Sequence, residues 1–222
     1  MVESINRTPG RSYGQFCGLA RALDVVGDRW NLLIVRDLLP GPLRYSQLRA
    51  SLAGIASNLL AERLRTLEEN GIVERQLGDD GVLYALTEWG EELRESMEAL
   101  GRWGVPLLAS GRGEDAFQPR WLTLALPALL RGATATSPVE IGFDVEGVLL
   151  ILRIDNRGPS AHINPDREPD TVLTAVAEVV VGLVAGALTV EQVLASGRLR
   201  GDESVLRRAF PGERAPTSMP VP

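Results

Sequence analysis

The chain has 222 residues, a hydrophobic fraction of 45% and a formal net charge of −6. This length indicates one large domain or two small ones, and the apolar content excludes a disordered chain. A single cysteine excludes an intrachain disulfide, and with a single histidine it cannot build a structural zinc site.

The sequence also predicts the class of protein and its compartment. No apolar run reaches the roughly 18 residues of a membrane span, and the N-terminus lacks the pattern of a secretory signal. We find no nucleophile–base pair, no metal cluster and no glycine-rich phosphate loop. We therefore expect a cytoplasmic protein that is not an enzyme, holds no metal or cofactor and does not insert into a membrane.

The charge is unevenly distributed along the chain. Residues 1–76 contain 10 arginines and 8 acidic residues, whereas residues 77–110 contain 2 arginines and 7 acidic residues. The mildly basic segment is therefore the first one, and it is the better candidate for contact with a polyanion.

Helical periodicity begins close to the N-terminus. Apolar residues recur at helical spacing over residues 16–39, and Gly27 and Asp28 divide this segment into two helices, with Asp28 expected to cap the second. "LLPGP" ends the second helix, because proline cannot continue it. "RYSQLRASLAG" predicts a short third helix that is capped by Ser46.

A fourth helix follows in "IASNLLAERLRTLEENG". Its expected N-cap is Ser57 and its expected C-terminal stop is Gly71, while Leu60, Leu64 and Leu67 share one face and are expected to be core. "IVERQL" and "VLYALT", joined by "GDDG", then predict a β-hairpin. Thr87 is expected to cap one long final helix, "EWGEELRESMEALGRWGVPLLA", with an apolar stripe that includes Trp89 and Trp103.

Four helices, a hairpin and a final helix contain the arrangement that is typical of a winged helix-turn-helix domain. "CGLARALDVVGDRWNLLIVRDLLPGPLRYSQLRASLAGIASNLLAERLRTLEENGIVERQ" resembles the HxlR-type winged-helix repressors of bacteria, and the resemblance spans about residues 13–108. It implies homodimers that are joined through the first and last helices and that bind a double-stranded DNA operator. The alternative is that Trp89 and Trp103 pack inside the monomer.

The predicted DNA-contacting residues fall into two groups. A recognition helix presents its outer face to base edges, where Asn pairs with adenine, Arg with guanine and Glu with cytosine. The candidates for base contacts are Ser57, Asn58, Glu62 and Arg65. The candidates for contacts with phosphate or an adjacent groove are Arg63 at the flank of the fourth helix, Arg44, Tyr45 and Gln47 at the third, and Arg75 and Gln76 on the wing.

Cys17 has two interpretations. In some members of the resembling family, a cysteine at this position senses electrophiles or oxidants, and Arg21, one helical turn away, is expected to lower the pKa of the Cys17 thiol. The alternative is that Cys17 is a small buried hydrophobic residue.

The second half of the chain predicts a separate domain of the α+β class. Residues 111–119 are polar and glycine-rich and are expected to link residues 1–110 to residues 120–222. The predicted order is one helix, four strands of an antiparallel sheet and three helices. The strands include a pair that turns at Glu146 and Gly147, and Thr189 is expected to cap the second of the last three helices.

"DTVLTAVAEVVVGLVAGALTVEQVLASGRLRGDESVLRRAF" resembles the C-terminal part of sterol carrier protein 2 (SCP2)-like domains, and the resemblance covers about residues 120–215. Such domains enclose an apolar tunnel for hydrophobic ligands, which implies a small hydrophobic effector. The candidate pocket residues are Trp121, Leu149, Ile151, His162, Leu173, Val176, Val180, Leu183, Val184, Val190 and Leu194. The alternative is that they form an ordinary core.

The sequence therefore favours a homodimeric, ligand-responsive transcriptional repressor with an N-terminal winged helix-turn-helix domain and a C-terminal SCP2-like α+β domain. A redox-sensing regulator that acts through Cys17 is the second hypothesis. The third is a lipid carrier whose DNA-binding half is vestigial.

Overall fold

The computed structural model of the protein describes residues 12–108, 111–163 and 167–212. Its backbone divides into two compact units, residues 1–97 and residues 98–222. The division falls inside a helix, and the domain boundaries expected at residues 110 and 120 stay predictions. No helix in the described ranges is long and apolar enough to cross a bilayer.

The first unit follows the predicted order of helices and hairpin. Its helices are α1 (Gly18–Val26), α2 (Asn31–Leu38), α3 (Tyr45–Ser51), α4 (Ser57–Glu69), α5 (Glu88–Glu91) and the start of α6 (Leu93–Gly104). Its strands, which pair antiparallel, are β1 (Val73–Gly78) and β2 (Gly81–Leu86).

Leucines of α4 form the centre of the first unit. Leu60, Leu64 and Leu67 are fully or almost fully buried, as the helical spacing predicts, and Leu48 of α3 is buried with them. The helix ends where expected, because Gly71 adopts a φ of +70°, which glycine reaches without steric cost. The packing of these leucines leaves the opposite side of α4 in solvent.

The N-termini of three helices differ from the predictions. Before α2, the capping position is occupied by Trp30 in a left-handed conformation (φ 83°) rather than by Asp28. At α3, the Arg44 N–H donates to the side-chain oxygen of Gln47 at 2.8 Å, so this helix begins before Ser46. At α4, Ala56 rather than Ser57 precedes the first helical residue, and no side chain caps this helix.

The helix expected after the wing is divided in two. The Thr87 hydroxyl accepts from the Gly90 N–H at 3.0 Å, as predicted for a cap, and donates to the Gly71 carbonyl at 2.6 Å. The short α5 is thereby attached to the end of α4. A turn at Glu92 separates α5 from α6, and a 3₁₀ turn follows α6 at Val105–Leu108. The prediction of one long helix is therefore wrong.

The second unit has the mixed α and β content of the predicted α+β class. A 3₁₀ turn (Pro119–Trp121) precedes its helices α7 (Leu122–Leu129), α8 (Ala177–Val184), α9 (Val190–Ser196) and α10 (Glu203–Ala209). Its strands are β3 (Val139–Val145), β4 (Val148–Asp155), β5 (Gly158–Ile163), β6 (Val172–Thr174) and β7 (Arg198–Arg200), in the sheet order β5-β4-β3-β6-β7.

The sheet is mixed rather than antiparallel. The hairpin of β3 and β4 turns at Glu146 and Gly147 as predicted, but β6 pairs with the free edge of β3 in parallel. A strand that returns to the far side of a hairpin can run in either direction, and the alternation of apolar residues does not indicate which one. β7, which pairs with β6, was missing from the predicted order.

One face of this sheet forms the core of the second unit. Phe143, Leu150 and Leu173 lie side by side on β3, β4 and β6 and are completely buried. Buried side chains from all four helices, such as Leu126 and Val180, belong to the same cluster. Thr189 and Gln192 form the predicted cap of α9, each side chain bonding to the other residue's backbone N–H.

Candidate nucleic-acid interface

Helices α3 and α4 form a helix-turn-helix whose outer surface carries the predicted base-reading residues. The Tyr45 hydroxyl at the start of α3 donates to the Ser57 carbonyl at 2.6 Å and so joins the two helices. Asn58, Glu62 and Arg65 are exposed on the side of α4 opposite its buried leucines, and Ser57 is exposed at the first residue of the helix. The structure therefore brings three of the four candidates together on one side of α4, with Ser57 at its N-terminus.

The wing is attached to the segment that leads into α3. Leu43 and Tyr84 form a two-hydrogen-bond bridge, with N···O distances of 2.9 and 2.8 Å. This bridge places Arg44 beside the tip of the hairpin, where its guanidinium lies 2.9 Å from the Asp80 carboxylate. Since the carbonyl oxygen of the Gln47 side chain is engaged in capping α3, its exposed amide NH₂ is the group available to a phosphate.

The two wing candidates lie on β1 and are exposed. The Arg75 guanidinium pairs with Glu68 of α4 at 3.0 Å and lies 5.7 Å from the centre of the Tyr84 ring. The side-chain amide of Gln76 donates to Glu74 at 2.9 Å. The ion pair holds the Arg75 side chain close to α4, whereas the Gln76 contact stays within β1.

Arg63 is not on the exposed flank. Only 13% of its side chain is accessible, and its guanidinium donates to Asp28 between α1 and α2 at 2.7 Å. This placement corrects the prediction of a phosphate contact, because the charge is directed into the domain and is already neutralised. The same ion pair explains why Asp28 does not cap α2.

Arg65 keeps most of its side chain in solvent. It is 66% exposed and lies 3.8 Å from Glu69, one helical turn further along α4. At this distance the carboxylate attracts the guanidinium without fixing its orientation. Arg65 is therefore the candidate that remains most available to a base edge.

Cys17 is exposed at the N-cap of α1. Hydrogen bonds from the backbone N–H groups of Ala20 and then Leu19 lower the pKa of its thiol, because they stabilise the thiolate. The cause differs from the one expected, since the Arg21 guanidinium donates to Ser12 and Asp24 instead. The expected direction of the pKa shift holds, and the alternative of a buried Cys17 is wrong.

An exposed recognition-helix surface beside an anchored β-hairpin defines the winged helix-turn-helix class of DNA-binding proteins. The model of the HxlR-like helix-turn-helix family matches residues 25–110. The chain belongs to this family, and it is a transcriptional regulator of that type. The resemblance to HxlR-type regulators, which the sequence indicates for the N-terminal part, is confirmed.

The chain is similar to several proteins that are named as HTH-type transcriptional regulators. The HTH-type transcriptional regulator YodB of Bacillus subtilis is 39% identical over 85 residues, which are 37% of this chain and 76% of YodB. The uncharacterized HTH-type transcriptional regulator YtfH of Escherichia coli K12 is 33% identical over 113 residues, covering 48% of this chain and 90% of YtfH. The crystal structure of quinone-bound YodB aligns at 38% identity over 39% of this chain and 94% of that one, with a TM-score of 0.36.

The residues predicted to line a single pocket in the second unit do not do so. Leu173 lies on the core face of the sheet, and Val180, Leu183 and Val184 of α8 pack there too. Gly142, Ile151 and His162 are direct cross-strand partners on the opposite face, because neighbouring strand residues alternate between faces.

The remaining candidates are also dispersed. His162 is exposed, and Val176 is 59% exposed at the start of α8. Leu149 shares the outer face with Ile151, whereas half-buried Leu194 packs against the core. Half-buried Trp121 makes an edge contact with Phe117, with ring centres 6.1 Å apart.

A cavity of about 380 Å³ lies elsewhere, between α9 and the end of α10. Its lining is mostly apolar and consists of Leu183, Gly186, Leu188, Thr189, Val190, Glu191, Arg207, Phe210, Pro211 and Gly212. Arg207 hydrogen-bonds Glu191 at its rim and lowers the pKa of that carboxyl to about 2. Leu183 and Val190 are the predicted pocket residues in this lining, and periodicity could not reveal the others because they lie in loops and at helix ends.

Proposed function

We propose that the protein is a non-catalytic repressor that binds an operator in double-stranded DNA as a homodimer and that senses a small hydrophobic ligand with its second unit. The observation that carries the proposal is the exposed surface of α4, where Asn58, Glu62 and Arg65 lie beside an anchored wing. Asn and Arg can make bidentate contacts with adenine and guanine, and Glu can accept from cytosine N4. These contacts would supply sequence selectivity.

Exposed apolar side chains support the homodimer. Leu19 of α1 is 69% exposed, and on α6 the corresponding values for Leu100 and Trp103 are 52% and 68%. Large apolar residues at such exposure are typical of surfaces that another chain covers. They also argue against the alternative in which Trp103 packs inside the monomer.

The cavity between α9 and α10 supports a ligand-binding role for the second unit. Its volume suits a small molecule, and its lining combines an apolar floor with a few polar groups. The resemblance to SCP2-like domains implies the same ligand class. A ligand would act by binding more tightly to one arrangement of the dimer, so its effect on DNA binding is limited by that difference in affinity.

The first experiment is DNA binding by the full chain. We expect salt-sensitive binding to a duplex from the protein's own promoter region, tighter than binding to a scrambled duplex of equal length. Arg65→Ala should weaken promoter binding by about 1–3 kcal/mol, because it removes a bidentate base contact. Arg153→Ala, which removes an exposed arginine of the second unit, is the matched control. Equal affinity of the wild-type protein for both duplexes would exclude the proposed function.

Redox sensing through Cys17 is a second candidate, supported by the exposed thiol and its lowered pKa. A lower pKa increases the thiolate fraction at neutral pH. The alkylation rate should therefore reach half its maximum at a pH below the ordinary cysteine pKa of about 8.5. Treatment with a quinone should change promoter binding of the wild-type protein and leave that of Cys17→Ser unchanged. Equal responses of the two proteins would eliminate this candidate.

A further inference from the structure

We propose that Asp80, at the tip of the wing, is an intramolecular competitor of the DNA backbone for Arg44. The inference rests on the proposed DNA binding and adds a residue that limits it. The Asp80 carboxylate lies 2.9 Å from the Arg44 guanidinium. A carboxylate and a phosphate use the same fork of guanidinium donors, so Arg44 cannot give its full charge to both.

The backbone fixes the geometry of this pair. The bridge of Leu43 and Tyr84 extends the wing by a short third strand, and Arg44 is the next residue. Asp80 belongs to the turn that joins β1 to β2, with Gly81 following at a φ of +121°. The two side chains therefore meet because of main-chain pairing, although they are 36 residues apart in the sequence.

Stability does not account for the pair. The side chain of Arg44 is 43% exposed and that of Asp80 is 78% exposed. Exposed ion pairs contribute little to folding, because water screens the charges and both side chains lose conformational freedom. An acidic residue on a DNA-facing wing also repels phosphates, so its contribution to DNA affinity is unfavourable.

Two other arginines on or near the recognition helix also lie close to a carboxylate. Arg75 on β1 is paired with Glu68, and Arg65 on α4 lies near Glu69. A phosphate contact by Arg75 requires its separation from Glu68, whereas Glu69 holds Arg65 only loosely. The pair of Arg44 and Asp80 differs in that a second aspartate, Asp79, lies in the same turn, so substitution can isolate the pair with a matched control.

The test compares Asp80→Asn with Asp79→Asn in the full chain. Both variants remove one negative charge from the same turn, but within the described part of the chain Asp79 forms no ion pair. On a duplex of scrambled sequence we expect Asp80→Asn to bind about fivefold more tightly than the wild-type protein. The dependence of log K on log salt should steepen by about 0.9, since one more phosphate is neutralised. Asp79→Asn should show a smaller gain and an unchanged slope.

A double substitution separates competition from a general charge effect. In an Arg44→Gln background, Asp80→Asn should lose most of its gain, because no guanidinium remains to be released. Equal gains for the Asp79 and Asp80 variants, or a full gain without Arg44, would overturn the proposal. These measurements use scrambled DNA, so their failure is distinct from failure of the proposed function, which concerns preference for the promoter.

Discussion

Arg63 shows how burial decides the role of a basic residue. Its position on α4 is compatible with contact with DNA, but its guanidinium is turned towards Asp28 and is largely removed from solvent. Arg65, two residues further, remains exposed. The two arginines of this helix therefore have different tasks, one in the fold and one at the surface.

We expect Arg63→Ala to destabilise the protein by about 2 kcal/mol, between the values for exposed and for buried ion pairs, because it removes a largely buried guanidinium that donates to the half-buried Asp28 carboxylate. Urea unfolding of the full chain measures this loss. Arg49→Ala, at an exposed position on α3, should change stability by less than about 0.5 kcal/mol.

The salt dependence of DNA binding distinguishes the two roles of Arg63. If the side chain contacted a phosphate, its removal would reduce the slope of log K against log salt by about 0.9. We expect Arg63→Ala to leave this slope unchanged. A reduced slope with unchanged stability would show that Arg63 faces DNA after all.

At the residue scale, the sequence was most informative where periodicity and side-chain type agree. The α4 leucines and the exposed candidates Asn58 and Arg65 follow from helical spacing alone. The pairs of Arg63 with Asp28 and of Arg44 with Asp80 could not be predicted, because they join residues 35 and 36 positions apart. Such contacts depend on how elements pack, and local patterns do not contain that information.

The connection between the wing and α5 depends on a close approach of two backbone segments at Gly90. A Cβ atom on Gly90 would lie 2.3 Å from the Ile72 carbonyl oxygen, which also accepts from the Thr87 N–H. Only glycine permits this approach. It allows the helix after the wing to begin directly against the strand that follows α4.

Gly90→Ala should therefore destabilise the protein by about 2 kcal/mol, in the range of overpacked cores. Gly101→Ala is the matched control, since a Cβ atom there meets nothing within 4 Å and alanine favours the helix by roughly 1 kcal/mol. In thermal unfolding, the midpoint temperature should fall for Gly90→Ala and rise for Gly101→Ala. A neutral effect at Gly90 would indicate that the backbone relaxes at little cost.

At the element scale, the order of helices and strands was predictable, but several pairings and helix boundaries were not. Turn residues such as Gly71, Glu146 and Gly147 lie where the sequence places them. The parallel pairing of β6 with β3 depends on the path of the connecting chain. The pocket prediction failed for a related reason, since the two faces of one sheet separate Leu173 from Ile151.

For the whole molecule, the net charge and the exposed apolar residues are best explained together. A protomer with few arginines on its recognition-helix surface is expected to bind DNA weakly, and a homodimer would double the number of phosphate and base contacts. Exposed Trp103 and Leu100 supply apolar area for such an association. DNA affinity should thus depend on the oligomeric state.

We expect Trp103→Glu to shift the protein from dimer to monomer in sedimentation and to weaken promoter binding in parallel, because a carboxylate cannot be buried in an apolar interface without a partner. Leu77→Glu on the wing, where the leucine is 91% exposed, should leave the oligomeric state unchanged. A monomeric wild-type protein, or a Trp103→Glu variant that remains dimeric, would rule out this interface.

The start of α4 has a consequence for how DNA and the protein would stabilise each other. Ala56 contributes no side-chain oxygen to the first turn, and no acidic residue lies there to offset the positive end of the helix dipole. A phosphate group supplies both a hydrogen-bond acceptor and a negative charge. If a backbone phosphate lies at this end of α4 in the proposed complex, DNA binding would also stabilise the first turn of the helix.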